Sequence, residues 1–173
     1  MLRRLVVVPL ALGFAACSSA GAPAASVPAP VAVAPTKPAP PTITRSAWFK
    51  YAPWNSNLSE VQKTASGLEY IVLASGPASG VPATREQSVE LFYEGRLNSG
   101  GRAFDSGFDR GEPDVFGVFE LTKGFAEALT LMRPGDRWMI YVPSALGYGE
   151  RGYPGLIGPN ENLLFEILVV GVK

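Results

Sequence analysis

The sequence predicts an α+β fold in which a twisted antiparallel β-sheet wraps around one short α-helix. Three segments alternate apolar and polar residues, as expected of strands with one face against a core: residues 88–94, 136–142 and 162–172. One segment, residues 122–132, has the apolar spacing of a helix face, carried by Phe125, Ala128, Leu129 and Met132. Several strands and a single short helix favour an antiparallel sheet packed on that helix.

The first half of the predicted sheet comes from two strands and a hairpin. Residues 67–73 are rich in β-branched and aromatic side chains and end before Gly76-Pro77, so they predict a first strand. In the second strand, residues 88–94, Val89, Leu91 and Tyr93 share one face, which predicts a half-buried strand. Asn-Ser-Gly-Gly at residues 98–101 predicts a hairpin, and residues 107–113 predict a glycine-rich irregular loop.

The second half contains the helix and two further strands. Thr122 is a candidate N-cap, and Arg133-Pro-Gly ends the helix because proline cannot donate into it. One face of each following strand is apolar. The residues of these two faces are Trp138, Ile140 and Val142, then Leu163, Phe165, Ile167 and Val169.

Charge and residue usage exclude several function classes. Fifteen basic and fifteen acidic side chains cancel, so no overall field attracts nucleic acid. The chain has no histidine and one cysteine, which excludes histidine-dependent triads, zinc sites of Cys and His, and intramolecular disulfides. We expect chemistry that needs no cofactor and no metal.

The N-terminus predicts export and a membrane tether. Residues 1–16 join a short cationic start to an apolar run too short to span a bilayer, as in a signal peptide. Small residues before Cys17 resemble the bacterial lipobox, which implies lipidation of Cys17; an ordinary signal peptide cleaved nearby is the alternative. Residues 17–44 are an Ala/Pro-rich linker. Ser18 resembles lipoproteins sent to an outer membrane, so we expect a lipid-anchored envelope protein facing the periplasm.

An aromatic N-terminal extension, residues 45–63, precedes the domain of residues 64–173. It carries Trp48, Phe49, Tyr51 and Trp54. Side chains of this size usually pack against something. Two interpretations stay open: the extension lies on the domain, or it contacts a partner or a membrane surface.

Five segments of the domain, in their order and spacing, resemble the FKBP-type peptidyl-prolyl cis-trans isomerases. They are residues 89–97, 101–106, 132–137, 142–149 and 158–165. Residues 67–70 look like the start of the domain in bacterial members of that family. The resemblance implies the family fold, an antiparallel sheet curled around a short helix with the active pocket between them, which agrees with the pattern described above.

The resemblance also implies a set of site residues. The implied catalytic residues are Phe104, Asp105 and Tyr148, and the implied substrate-binding residues are Tyr93, Leu121, Thr122, Phe125, Ile157 and Phe165. Three residues depart from the family pattern: Phe125 replaces a tryptophan of the eukaryotic type member, Thr122 an aliphatic residue, and Gly158 a common proline. Asp114 and Phe116 are both candidates for the aromatic wall. Each site residue also has a purely structural explanation that involves no activity. Asp105 and Arg110, for example, would form an ion pair within a loop.

The function implied is acceleration of X–Pro isomerisation in exported polypeptides. Proline-containing polypeptides are the implied partners, and macrolides are further ligands of the family. The alternative is a peptide-binding chaperone or envelope scaffold on the same fold, because a fold does not settle a function.

Overall fold

A computed structural model of the chain describes residues 41, 42, 44–101 and 103–173. Its helices are Arg45–Tyr51 (α1), Gly107–Arg110 (α2) and Lys123–Leu131 (α3). Its strands are Gln62–Lys63 (β1), Glu69–Ala74 (β2), Ser88–Leu97 (β3), Asp105–Ser106 (β4), Asp114–Gly117 (β5), Arg137–Val142 (β6) and Leu163–Val172 (β7). The predicted signal peptide, Cys17 and nearly all of the linker lie outside the described residues.

The strands form one antiparallel sheet in the order β1-β2-β6-β7-β3-β4, with β5 also paired to β3. The longest strands, β3 and β7, are neighbours, and they form the longest pairing in the sheet. The predicted α+β class is confirmed, and the predicted hairpin after β3 leads into β4. Within the described residues, no helix has the length and apolar character needed to cross a membrane.

The inner face of the sheet packs against α3 and forms the main core. The alternating apolar residues predicted for β6 and β7 all lie in this core, together with Phe125, Ala128 and Leu129 of the helix. Helix and sheet approach closely at Gly124, where a Cβ would stand 2.7 Å from Cγ1 of Val142. The closeness of α3 to the sheet therefore depends on a residue without a side chain.

The outer face of the sheet is covered by the aromatic extension. Trp48 and Tyr51 of α1 are 4% and 7% exposed and pack with Ile71, Met139 and Leu164 of the sheet. We call this set the outer cluster. The first of the two interpretations of residues 45–63 therefore describes the structure, in which the extension lies on the domain.

Three local predictions are corrected. Strand β3 is buried on both faces at Phe92 and Glu94, since α2 and the extension cover its outer side. The expected irregular loop begins with α2, whose first turn is capped by the Ser106 hydroxyl, which accepts from the Asp109 N–H at 3.2 Å. Thr122 stands at the N-cap of α3, but its side chain makes no capping hydrogen bond.

The outer cluster yields a prediction from two neighbouring aromatic residues of α1. Trp48 is 4% exposed whereas Phe49 is 87% exposed. Trp48→Ala should lower the free energy of unfolding by about 3–5 kcal/mol, because it empties a packed site. Phe49→Ala is the control and should change it by less than about 0.5 kcal/mol. Urea unfolding of both variants tests this, and equal losses would contradict the packing of α1 on the sheet.

Candidate active site

Five aromatic rings meet between the inner face of the sheet and α3. Phe125 of α3 packs edge-to-face on Phe165 of β7, with ring centroids 4.9 Å apart and an interplanar angle of 87°. Phe104, just before β4, meets Phe165 at 5.8 Å. Tyr93 of β3 meets Phe125 at 6.1 Å and Phe116 of β5 at 5.7 Å. We call these five residues the pocket cluster.

The pocket cluster combines a buried floor with accessible walls. Phe125 and Phe165 are each 5% exposed and form the floor. Phe104 and Phe116 are half-buried, so parts of their rings face outward. Edge-to-face packing fixes the orientation of each ring through its neighbours. The arrangement therefore offers a rigid apolar surface suited to a small apolar ring.

A polar network lies at the rim of the pocket cluster and centres on Asp105. One carboxylate oxygen, Oδ2, accepts a short hydrogen bond from the Tyr93 hydroxyl. The other, Oδ1, accepts from Nη1 of Arg110 at 2.6 Å. The second guanidinium nitrogen of Arg110 pairs with Asp114 of β5. Helix α2 ends at Arg110 and is followed by its C-cap Gly111, whose φ of 73° is left-handed. The capped turn thus holds Arg110 between two carboxylates.

The pKa values of Asp105 and Tyr93 in this network shift in opposite directions. Burial alone would raise the pKa of Asp105, but the hydrogen bonds from Tyr93 and Arg110 outweigh it and hold that pKa below its ordinary value. The pKa of the Tyr93 hydroxyl is raised, first by burial and then by its bond to Asp105. At neutral pH the site therefore contains an ionised Asp105 beside a protonated Tyr93.

Of the remaining implied residues, Ile157 belongs to the main core, and Leu121 and Tyr148 pack against it. Tyr148 follows the 3₁₀ turn Ser144–Leu146 and meets Tyr153 edge-to-face at 5.7 Å. The pKa of Tyr148 is raised by burial and also by the charges of Tyr153 and Asp105.

Ile157 is buried and forms an isolated bridge with Tyr153. Leu121 and Thr122 are half-buried in the turn that enters α3. Within the described residues, the Thr122 N–H makes no backbone hydrogen bond.

The sequence left open whether Asp114 or Phe116 forms the aromatic wall, and the structure distinguishes the two. Phe116 packs on Tyr93, whereas Asp114 turns to Arg110. Both lie on β5, a strand of four residues that pairs with β3. The available signal was the alternation of Asp114 and Phe116, which puts both on the same side of a strand. That alternation could not identify the side without knowledge of the long-range pairing.

A concavity of about 790 Å³ lies on the outer face of the sheet. It is lined in part by Trp48, Glu94 and Arg96. The charges there pair with each other, with Arg96 Nη2 2.7 Å from Glu94 Oε1 and the guanidinium 4.5 Å from the Trp48 ring centroid. Because this concavity opens on the opposite side of β3 from the pocket cluster, it shares none of the implied site residues.

Comparison with known proteins points to one family. The family model for FKBP-type peptidyl-prolyl cis-trans isomerases matches residues 80–170. The peptidyl-prolyl cis-trans isomerase Mip of Coxiella burnetii is 47% identical over 119 residues, covering 69% of this chain and 50% of that protein. The outer membrane protein MIP of Legionella longbeachae is 40% identical over 108 residues, covering 62% of this chain and 45% of that protein.

The solved structures agree with these sequence matches. The crystal structure of a peptidyl-prolyl cis-trans isomerase from Pseudomonas syringae pv. tomato superimposes with a TM-score of 0.62 at 30% identity. The superposition covers 68% of this chain and 84% of that one. The chain spans about half the length of the curated relatives it matches.

The lowered pKa of Asp105 predicts how the stability of the fold depends on pH. A carboxyl whose pKa is lower in the folded state stabilises the fold above its unfolded pKa, and this stabilisation is lost as the pH falls through the folded pKa. Between about pH 5 and pH 3 the free energy of unfolding should therefore fall more steeply in wild type than in Asp105→Asn. Glu112→Gln, at an exposed loop carboxylate, is the control and should follow wild type. Parallel curves for wild type and Asp105→Asn would contradict the ionised network.

Proposed function

The chain belongs to the FKBP-type peptidyl-prolyl cis-trans isomerase family, and on that premise we propose that it accelerates cis–trans isomerisation of X–Pro bonds in polypeptides. The observation that carries the proposal is the pocket cluster with Asp105 held at its rim. A pyrrolidine ring is a small apolar ring, which suits this surface. The rival is a peptide-binding chaperone or envelope scaffold, which would hold such segments without accelerating their isomerisation.

The reaction requires stabilisation of a twisted amide. Resonance in the C–N bond gives X–Pro rotation a barrier of about 18–20 kcal/mol. In the twisted state the amide loses conjugation, and an apolar surface stabilises that state relative to water. An acceleration of about 10⁵ corresponds to about 7 kcal/mol of preferential binding of the twisted state. Shape, desolvation and a few hydrogen bonds supply contributions of this size without a covalent intermediate.

The geometry supports a division of roles among the site residues. Phe104, Phe125 and Phe165 grip the proline ring, since their edges and faces form one continuous apolar surface. The Tyr148 hydroxyl, whose pKa is raised further by burial, is protonated at neutral pH and donates to a substrate carbonyl. Asp105 faces the twisting amide with a fixed negative charge, because both of its oxygens are already held.

The turn before α3 contributes the remaining contacts. Its Thr122 N–H makes no backbone hydrogen bond within the described chain and supplies a second donor for the substrate backbone. The half-buried Leu121 and the buried Ile157 add apolar surface beside the proline ring. Tyr93 contributes its ring face and holds Asp105. Macrolides would occupy the same apolar surface.

We further propose that the protein acts in the bacterial envelope, anchored through Cys17 and facing the periplasm. The cationic start, the short apolar run and the small residues before Cys17 support this location. A relative bearing the name outer membrane protein MIP supports it independently. The linker of residues 17–44 would hold the isomerase domain away from the bilayer, where it meets exported polypeptides.

The enzymatic proposal is tested by removing single polar groups from the pocket. Tyr148→Phe should lower kcat/KM on an X–Pro peptide by up to about tenfold, the worth of one neutral hydrogen bond, with little change in peptide binding. Asp105→Ala should lower it at least as much, because it also leaves the Tyr93 hydroxyl and Nη1 of Arg110 without their acceptor. Tyr141→Phe removes a hydroxyl on the outer face and should leave kcat/KM unchanged.

The rival predicts a different set of results in the same measurements. A chaperone would suppress aggregation of an unfolded client without accelerating isomerisation of any X–Pro peptide. Tyr148→Phe and Asp105→Ala would then behave like wild type. That combination would overturn the enzymatic proposal.

The anchor is tested by one substitution. Wild type should incorporate labelled fatty acid and sediment with membranes, whereas Cys17→Ser should do neither, since two or more acyl chains are needed for stable attachment. Cys17→Ser should keep the full isomerase activity, because the pocket cluster lies outside the tether. Unlabelled, soluble wild-type protein would refute the anchor.

A further inference from the structure

Gly95 occupies the point of β3 over which two rings of the pocket cluster meet. A Cβ placed on Gly95 would lie 2.5 Å from Cζ and 2.7 Å from Cε2 of Phe104. The same atom would lie 2.7 Å from Cε1 of Phe165. Real Cβ atoms essentially never approach other heavy atoms this closely, so a side chain here would clash with both rings.

The backbone around Gly95 connects it to three of the site residues. It pairs with Phe165 on β7 and with Asp105 on β4. Its carbonyl accepts the Phe104 N–H at 2.9 Å. Because the backbones of these residues are fixed by hydrogen bonds to one strand, their side chains cannot all move away from Gly95 together. Only rotation of a ring would relieve a clash.

Glycine is needed at position 95 because there is no space for a side chain, and not because of its backbone conformation. The φ of Gly95 is not among the positive values of the chain, so an L-residue could adopt its backbone conformation. Glycine within a strand is intrinsically less favourable than alanine. An alanine would therefore be the better residue if the two rings did not occupy the space above it.

The two rings differ in their freedom to move. Phe165 is 5% exposed and is held from the other side by Phe125, whose centroid is 4.9 Å away. Phe104 is half-buried and stands on the short connection between β3 and β4. A side chain at position 95 would therefore displace Phe104, which would move outward into the space that the proline ring is proposed to occupy.

We propose that Gly95 is a positioning residue, whose missing side chain sets the place of the Phe104 ring and thereby the width of the proline pocket. This inference rests on the proposed isomerase function for its kinetic consequence, although its structural part does not. The Phe104 ring contacts substrate in the ground state and in the twisted state alike. Its displacement should consequently weaken binding in both states and raise KM more than it lowers kcat.

The experiment compares two strand glycines. Gly95→Ala should raise KM for an X–Pro peptide by at least about tenfold with a smaller change in kcat. It should also shift the aromatic NMR resonances of Phe104. Gly171→Ala is the matched control, because a Cβ at Gly171 of β7 meets nothing within 4 Å, and it should leave both readouts unchanged. A folded Gly95→Ala with wild-type KM and wild-type Phe104 resonances would overturn the inference.

A second variant separates the clash from a general loss of folding. In a Phe104→Leu background, which lacks the Cζ and Cε2 atoms nearest to Gly95, adding Gly95→Ala should change KM by less than about threefold. If Gly95→Ala alone does not fold, Gly95→Ala/Phe104→Leu should recover a folded protein, because the Phe165 ring can then turn into the space that the Phe104 ring leaves. Failure of the double variant to fold would show that Phe165, and not Phe104, is the ring that Gly95 keeps in place, and would overturn the inference. If wild type shows no isomerase activity, the proposed function fails, while the Phe104 resonances still decide the positioning role.

Discussion

The antiparallel register of β3 against β7 is the constraint on which both faces of the molecule depend. It places Gly95 opposite Phe165 on the inner face and Glu94 opposite Glu166 on the outer face. Side chains alternate between the two faces of a strand, so a slip of one residue would exchange them. A slip of β3 would turn Glu94 toward α3 and Tyr93 away from it, and a slip of β7 would do the same to Glu166 and Phe165. A single pairing therefore fixes the apolar pocket and the charged outer face together.

On the outer face of the sheet, the carboxylates of Glu94 and Glu166 are buried but hydrogen-bonded. Glu166 is fully buried and accepts from Arg137 Nε at 2.6 Å and from the Thr44 N–H at 2.9 Å. Glu94 accepts from Arg96 Nε at 2.8 Å and from the Ser106 hydroxyl at 3.2 Å. Buried charges are tolerated when they are paired and hydrogen-bonded, whereas removal of one partner leaves a costly unpaired charge. The bond to Thr44 also fixes the start of α1, so the same strands that carry the pocket hold the extension.

Most of the elements that the sequence predicted have long periodic patterns, whereas β2 was predicted from its β-branched and aromatic composition. The strands β3, β6 and β7 and the helix α3 each repeat an apolar face often enough to be recognised. The short elements β1, β4, β5 and α2 are stabilised by pairing and capping with distant or irregular partners, and two to four residues cannot show a period. The site residues came from the order of five motifs, since periodicity alone would assign Tyr93 and Phe165 to an ordinary core. The need for space at Gly95 could not be predicted, because it arises where rings from two other segments converge.

Tyr93 joins the apolar and polar halves of the candidate site. Its ring packs edge-to-face on Phe116 and Phe125, so the core fixes its position, and its hydroxyl then reaches Asp105. Arg110 holds the other oxygen of Asp105 from the capped turn of α2, and Asp114 holds Arg110 in turn. A carboxylate held from both sides cannot rotate to follow a substrate, and its charge stays where the folded backbone puts it. In the proposed mechanism the substrate amide rotates while the protein does not, and this preorganisation lets a pocket without histidine, nucleophile or covalent step favour the twisted state.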